Sequence, residues 1–324
     1  MCWSWLESLL LKEKTMMKGK TMFVVNLLNA DGGFMGHNIK DKLVEGGYSG
    51  VALKVCHGNH WNTAHGKADV EKFMGLVRGL VHVYGWHWNE GFDPAGEAVI
   101  ASEAIDTYGL EAYMMDYEAP MKLRPEAQVP LLKEFRLRKP DFPLGLCSYR
   151  YPSYHQEILW KEILPFFDFH APQVYWVLSH NPAWQLEKSY NELKALADLP
   201  FFPVGVACSE AGWEPTLDEL DEFDEKVKAL GFEGIQWFTY RGMRDCGFFP
   251  RLASHVWPVD VPDPVIAPVD CMEYITMVTE LEVEVVRLEA EVADLQVLVG
   301  GNYDVAYNEG WNAGLRSLIT PLLK

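Results

Sequence analysis

The amino-acid sequence predicts a (β/α)8 barrel of the TIM type, followed by a C-terminal coiled-coil helix. Eight apolar runs rich in β-branched and aromatic residues begin 25 to 33 residues apart. Residues that start and stop helices lie between successive runs. Strand and helix therefore alternate eight times, an order that fits a closed parallel barrel better than an open doubly wound sheet.

The predicted strands are short apolar runs of the kind that parallel sheets bury on both faces. They cover Phe23–Leu28, Val51–Cys56, His82–His87, Ala112–Tyr117, Leu144–Tyr149, Phe169–Trp176, Phe202–Ala207 and Gly234–Thr239. One intervening helix is predicted to begin at Asp93-Pro94 and to end at Gly109, because a cap residue, a first-turn proline and a stop glycine occur in that order. Another is predicted to follow the capping box from Thr216 to Glu219.

The barrel is predicted to span residues 22–257. Residues 1–21 come before the first strand and are interpreted as an extension outside the fold. Their short apolar stretch contains Glu7 and has no positively charged residue ahead of it, so no secretory signal is expected. The sequence therefore predicts a protein that is made in the cytoplasm.

The chain after the barrel changes character twice. Residues 258–270 are predicted to be an extended linker, because three prolines lie within residues 259–268. In residues 271–299, apolar residues recur at alternating spacings of three and four, with Val at a and Leu at d positions, which is typical of a coiled coil. This segment is expected to bind a second copy of itself or a partner helix. Residues 300–324 are interpreted as a small helical module.

Charge and composition exclude several kinds of partner. The net charge of −18 repels phosphate backbones and anionic membranes, so neither nucleic acid nor a membrane is an expected partner. No run of about 18 apolar residues is present, so no membrane-spanning segment is predicted. The six cysteines are scattered without C-x-x-C pairs, which indicates reduced thiols rather than a disulfide framework.

Two acids at the end of the fourth predicted strand are the first candidates for catalysis. Asp116 and Glu118 stand two residues apart, so their side chains are expected on the same side of the strand. Active sites of (β/α)8 barrels lie at the carboxyl ends of the strands. Two carboxylates held close together cannot both ionise easily, and one of them then keeps a proton near neutral pH. The pair therefore predicts a general acid.

The other strand ends are rich in aromatic and amide side chains. Sugars present apolar faces that stack on aromatic rings and hydroxyl groups that bind amides and carboxylates, so this lining favours a glycan over a phosphate or a metal. The residues predicted to bind substrate are Asn26, Lys54, Trp86, His87, Trp88, Tyr149, Gln173, Tyr175, Trp176, Gln236, Trp237 and Tyr240.

No cofactor or metal is predicted. His57, His60 and His65 lie close together in sequence, but they fall in a predicted loop without the cysteine or carboxylate partners of a zinc site. The sequence favours loop histidines over metal ligands.

Three strand ends together resemble a known enzyme family. Val51-Ala-Leu-Lys-Val-Cys-His-Gly58, Val83-Tyr-Gly-Trp-His-Trp88 and Met114-Met-Asp-Tyr-Glu118 resemble the pattern of glycoside hydrolase family 25. That family consists of lysozyme-type barrel enzymes of bacteria and phages, which cut the β-1,4 bond between N-acetylmuramic acid and N-acetylglucosamine. The resemblance covers residues 22–257 and is best over 50–120. It implies that Glu118 is the general acid and that Asp116 tunes it or steadies the N-acetyl group of the substrate.

The first strand departs from the family pattern. The family has an Asp at the end of this strand, whereas Asn26 stands here, and an amide cannot act as a base. The nearest acid is Asp31, five residues further on, and it remains a candidate for the missing carboxylate.

A second arrangement of two acids is also open. Glu210 follows the seventh predicted strand, and some retaining glycosidases place one Glu on the fourth strand and one on the seventh. The Asn expected immediately before the fourth-strand Glu is replaced here by Tyr117. This arrangement therefore ranks below the first, with Glu210 kept as a candidate second carboxylate.

Two functions follow from the sequence. The first is a glycoside hydrolase that cleaves bacterial cell-wall glycan, expected in a phage protein that is virion-associated or released at lysis. The second is a non-catalytic glycan-binding protein, such as a phage minor tail protein, that keeps the barrel fold. Asp116 and Glu118 favour the first, and Asn26 favours the second.

Overall fold

The described part of the protein is a closed parallel barrel, as the sequence predicts. A computed structural model describes residues 17–30, 36–62, 66–210 and 212–258, together with the single position 287. The strands are β1 (Gly19–Val24), β2 (Gly50–His57), β3 (His60–Trp61), β4 (His82–Trp88), β5 (Ala112–Tyr117), β6 (Leu144–Tyr149), β7 (Phe169–Val174), β8 (Val204–Val206) and β9 (Gly234–Phe238). All except β3 are parallel to their neighbours, and β1 closes the barrel by pairing with both β2 and β9. The short β3 pairs with β2 in the antiparallel direction.

Helices alternate with the strands and cover the barrel from outside. The described helices are Leu27–Ala30, His37–Glu45, Lys67–Val77, Pro94–Tyr108, Ala119–Lys122, Pro125–Arg138, Trp160–Ile163, Pro182–Leu196, Leu217–Ala229, Tyr240–Asp245 and Phe249–Ser254, with 3-10 turns at Pro152–Tyr154 and Leu164–Phe166. The predicted caps are present: Asp93 accepts a hydrogen bond from the Gly96 amide, and Thr216 accepts one from the Glu219 amide. Within the described ranges, no helix combines the length and the apolar character needed to cross a bilayer.

The first strand differs from its prediction. β1 begins at Gly19 and ends at Val24, so it includes residues of the predicted extension 1–21 and ends before Leu28. Lys20 lies in this strand, and its buried ammonium donates hydrogen bonds to the carbonyls of Leu252 and Ala253 at 3.0 and 3.3 Å. Burial lowers the pKa of Lys20 to about 8.

The chain divides into two units, Met1–Val265 and Ile266–Lys324. Of the second unit only position 287 is described, and it is helical. The predicted coiled coil 271–299 and the module 300–324 therefore lie outside the described residues.

Side chains of the strands alternate between two apolar layers. The inner layer fills the barrel and includes Phe23, Tyr84, Trp86, Met114 and Phe169. The outer layer packs between the strands and the helices, and it takes the residues next to these in sequence, such as Tyr113 and Met115. The barrel interior is therefore a packed core, and a ligand can reach only its ends.

Gln128 joins the loops that follow β5 and β6. It lies in the helix Pro125–Arg138 and is fully buried. Its amide nitrogen donates to the carbonyls of Met121 and Glu157 at 2.9 and 3.1 Å, and its amide oxygen accepts a hydrogen bond from the Leu159 amide at 2.8 Å. One side chain thus satisfies three backbone groups of two neighbouring loops.

We expect Gln128→Leu to lower the free energy of unfolding by about 3 kcal/mol, because a side chain of similar size leaves three buried backbone groups without partners. Urea denaturation followed by tryptophan fluorescence measures this change. Asn191→Leu, at an exposed position of the helix Pro182–Leu196, is the control. Equal effects of the two substitutions would contradict the role of Gln128.

Candidate active site

Asp116 and Glu118 lie beside one another at the carboxyl end of β5. Asp116 is fully buried and accepts hydrogen bonds from Trp86 Nε1 at 3.1 Å and from Gln173 Nε2 at 3.0 Å. The same Gln173 nitrogen donates to Glu118 Oε1. Since one amide nitrogen reaches both carboxyl groups, the two acids lie on the same side of the strand end.

The surroundings favour a proton on this pair. Burial raises the pKa of Asp116 well above its usual range, and the adjacent Glu118 raises it further. Burial also raises the pKa of Glu118, whereas the hydrogen bond from Gln173 and the charge of Lys54 lower it. The two groups titrate together, so the proton belongs to the pair. Glu118 is partly exposed and Asp116 is not, which makes Glu118 the group that can pass the proton to a bound molecule.

Lys54 supplies positive charge next to the pair. Its side chain is 9% exposed, and its nitrogen lies 5.2 Å from the ring centre of Trp86 and 5.6 Å from that of Trp88. Burial lowers the pKa of Lys54, and the charges of Asp116 and Glu118 oppose this effect. The Lys54 nitrogen also lies 3.4 Å from His57 Nδ1.

Aromatic rings form the floor below the carboxyl pair. Phe238 lies 5.7, 6.0 and 5.6 Å from the ring centres of Phe23, Trp86 and Tyr175. Burial and the charges of Cys147 and Asp116 raise the pKa of Tyr175 well above its usual range. The floor is apolar, and Tyr175 contributes a hydroxyl group that stays protonated.

Tyr149 lies on the β6 side of the site. Its ring stacks on His155 with a centroid distance of 3.6 Å. Burial and the charges of Glu118 and Asp116 raise the pKa of Tyr149 to about 12.

Several residues predicted to bind substrate lie elsewhere. His87 is fully buried, donates to the Gly58 carbonyl at 2.8 Å and packs against Tyr113 in the outer layer. Trp176 and Trp237 are also fully buried in the outer layer, where each packs against Phe223. These three predictions fail for one reason: consecutive strand residues point to opposite faces, so only one of two neighbouring aromatic residues faces the site.

Two further predicted residues are engaged with the protein itself. Tyr240 begins the helix Tyr240–Asp245 and is buried in the outer layer. Gln236 is fully buried, and its amide nitrogen donates to the Phe202 carbonyl at 2.7 Å. Neither side chain is presented to a ligand at the Asp116–Glu118 pair.

The sequence offers three candidates for a further catalytic group beside the Asp116–Glu118 pair, and they occupy different positions. Asn26 follows β1 and is partly exposed at the carboxyl end of the barrel. Asp31 lies outside the described residues. Glu210 is exposed, and its backbone pairs with Trp213. In the described ranges, no hydrogen bond joins the Glu210 side chain to Asp116 or Glu118.

Sequence reasoning missed Phe238 and Cys147. Phe238 lies two residues after Gln236 on β9, so both side chains are on the same face of the strand. This spacing could have identified Phe238 from the sequence. Cys147 lies opposite Asp116 in the register of β5 and β6, and its sulfur is 3.6 Å from Gln173 Nε2. No sequence signal distinguishes this thiol from an ordinary buried cysteine.

Metal ligation finds no support in the part of the chain that the structure describes. No three side chains of His, Cys, Asp or Glu there are grouped in a way that could hold a metal ion. His57 lies 3.3 Å from Glu90, and His65 is outside the described residues.

Comparison with known proteins gives the fold and no family. No family model and no curated protein matches the sequence. A family 18 chitinase from Cycas revoluta, in a complex with allosamidin, matches the structure with a TM-score of 0.55 at 11% sequence identity, over 72% of this chain and 98% of the chitinase. The catalytic domain of a chitinase from Pyrococcus furiosus matches with a TM-score of 0.54 at 12% identity, over 74% and 97%. The spore cortex-lytic enzyme SleL of Bacillus cereus matches with a TM-score of 0.54 at 10% identity, over 75% of each chain.

These structures share the barrel fold with this chain. At 10 to 12% identity they show the fold alone; the family named among them is family 18 and not family 25, so this likeness does not support the resemblance drawn from the sequence.

We expect Gln173→Met to raise the pKa of Glu118, because this substitution removes a donor that stabilises the ionised carboxylate. Lys54→Met should change it in the same direction by removing a positive charge. Titration of the glutamate carboxyl carbons by NMR measures the change. Gln156→Met, at an exposed position, is the control. A lower pKa of Glu118 in Gln173→Met would contradict this account of the site.

Proposed function

We propose that the barrel is a glycoside hydrolase that cleaves β-1,4 bonds in a bacterial cell-wall glycan of N-acetylated amino sugars. The observation that carries this proposal is the contact of Gln173 Nε2 with both Asp116 and Glu118 at the end of β5. It places a proton-holding carboxyl pair above an aromatic floor, at the end of the barrel where enzymes of this fold bind their substrates.

Glu118 is proposed as the general acid. Its raised pKa keeps it protonated at a pH where an ordinary glutamate is ionised, and its partial exposure lets it reach a glycosidic oxygen. Proton transfer to that oxygen allows the bond to the sugar C1 to break. The same carboxylate then accepts a proton from the water that attacks C1.

The group that attacks C1 first is proposed to be the sugar's own acetamido oxygen. Retaining glycosidases usually use a second carboxylate about 5–5.5 Å from the acid, and inverting ones about 6.5–9.5 Å, while some families use the substrate instead. Among the described residues, no third carboxylate contacts Asp116 or Glu118. Asp116 is buried behind Glu118 and bonded to Trp86 and Gln173, so its proposed part is to stabilise, by its negative charge, the positive charge that develops on this group while Glu118 holds the proton of the pair.

The likeness to solved structures supports the choice of substrate. One family 18 chitinase of this fold was solved with (GlcNAc)3, and the matching SleL is described as a spore cortex-lytic enzyme. (GlcNAc)3 is a ligand that a site built for acetamido sugars would accept. The phage setting and the association through 271–299 stay predictions from the sequence.

We expect Glu118→Gln to lower the release of reducing ends from purified peptidoglycan by a factor of about 10³, because the amide cannot donate the proton. Glu126→Gln, at an exposed position of a neighbouring helix, should retain full activity. Both variants keep the shape of the original side chain, so a difference in their activity is caused by the loss of the ionisable group at position 118.

The same assay decides between the two functions predicted from the sequence. Binding of glycan fragments without release from acid to neutral pH would reject the hydrolase and support a non-catalytic glycan-binding barrel. Equal release by wild type and Glu118→Gln would reject Glu118 as the acid.

We expect fully de-N-acetylated oligosaccharides to be cleaved more slowly than their N-acetylated counterparts by a factor of about 10³ or more, because the attacking carbonyl oxygen is missing. The same oligosaccharides re-acylated with propionyl groups regain a carbonyl and should regain cleavage. Comparable rates with and without acyl groups would point to a protein nucleophile, with Asp31 the first to test.

A further inference from the structure

A second recess opens beside the carboxyl pair, on the β6 and β7 side. It is a cavity of about 270 Å³, smaller than the roughly 300–1,000 Å³ of typical small-molecule pockets. Gln173 and Tyr175 form its inner wall, and Gln173 also contacts Glu118. The remaining lining residues are Tyr149, Arg150, Tyr151, Tyr154 and His155. We call this recess the side pocket; its size suits a substituent of a bound sugar rather than a complete sugar chain.

The side pocket is bordered by cationic groups, although the protein is strongly acidic. Arg150 and His155 line it, and the Lys122 nitrogen stands behind His155 at 3.1 Å from Nδ1. Lys122 is partly balanced by Glu157 at 3.8 Å. Lys188 lies over the rings of Tyr151 and Tyr154 and is paired with Glu192.

Arg150 is the cation that lacks a balancing carboxylate. Its guanidinium donates to the Tyr175 carbonyl and lies 5.1 Å from the Tyr151 ring centre. In the described part of the chain it forms no ion pair, and its buried Nε has no hydrogen-bond partner. A buried N–H of a charged group is normally satisfied, so the guanidinium of Arg150 is incompletely paired within the protein.

His155 adds a second donor. The Lys122 ammonium can only donate, so His155 Nδ1 accepts and the ring carries its proton on Nε2. Burial and the positive charges of Lys122 and Arg150 lower the pKa of His155, so the ring is a neutral hydrogen-bond donor at neutral pH.

We propose that the side pocket receives a carboxylate-bearing substituent, such as a lactyl ether, of the N-acetylated sugar bound next to Glu118. This inference rests on the proposed function and narrows its substrate to acidic amino sugars. Arg150 binds the carboxylate through its free N–H groups, and His155 adds a hydrogen bond. Tyr149 and Tyr151 pack around the apolar part of the substituent. A neutral glycan leaves Arg150 without a carboxylate partner.

The test compares two ligands that differ only in charge. The tetrasaccharide of alternating N-acetylglucosamine and N-acetylmuramic acid is titrated into full-length Glu118→Gln, which prevents turnover, and so is the same tetrasaccharide methyl-esterified at its lactyl carboxyls. We expect the acid to bind about tenfold more tightly than the ester. Arg150→Gln, added to this variant, should bring the ratio of the two dissociation constants close to one, and Arg150→Lys should restore part of it.

Lys133→Gln, at an exposed position of the helix Pro125–Arg138, is the charge-matched control and should keep the ratio of the parent. Equal affinity for acid and ester, no detectable binding of either, or an unchanged ratio in Arg150→Gln would overturn the proposal.

The two proposals fail separately. Cleavage of peptidoglycan by the wild type together with equal affinity for acid and ester removes the side pocket and leaves the hydrolase. A preserved preference for the acid without cleavage by the wild type removes the hydrolase and leaves the side pocket as a binding site.

Discussion

The buried carboxyl group of Asp116 is the constraint on which the site depends. A carboxyl with no access to water must find hydrogen-bond donors within the protein or remain protonated. Trp86 on β4 and Gln173 on β7 supply two donors. Strands on both sides of β5 therefore contribute hydrogen bonds to the carboxyl group of Asp116. Gln173 then extends the network to Glu118, whose position at the strand end opens it to a ligand.

Much of the architecture can be predicted from the sequence, because apolar strand-like runs recur along the chain at regular intervals with helix signals between them. Parallel strands buried on both faces read as apolar runs, and β5 and β6 have the predicted ends because Gly109 and Pro143 are sharp boundaries before them. β1 begins earlier than predicted, at Gly19, and it includes the buried side chain of Lys20. Only the structure shows that its ammonium reaches two carbonyls at the end of the last described helix, a contact between positions more than 200 residues apart.

The positions of Asp116 and Glu118 could be predicted from the sequence more readily than those of the aromatic residues around them. Asp116, Glu118 and Gln173 follow from strand ends and alternation, since Gln173 sits at the end of β7 facing inward. Trp176 and His87 show the limit of the argument: a strand end with neighbouring aromatic residues does not reveal which of them faces the ligand. Trp88 pairs with Asp116 in the register of β4 and β5, and every second residue of a strand lies on the same face. This rule assigns Trp86 and Trp88 to the site and His87 to the outer layer.

The complete burial of Asp116 also bears on the order in which the two acids exchange protons. Glu118 is the partner with access to solvent, so a proton that enters or leaves Asp116 passes through Glu118 or waits for the surrounding side chains to separate. A bound molecule that covers Glu118 therefore also covers the route by which Asp116 gains or loses a proton.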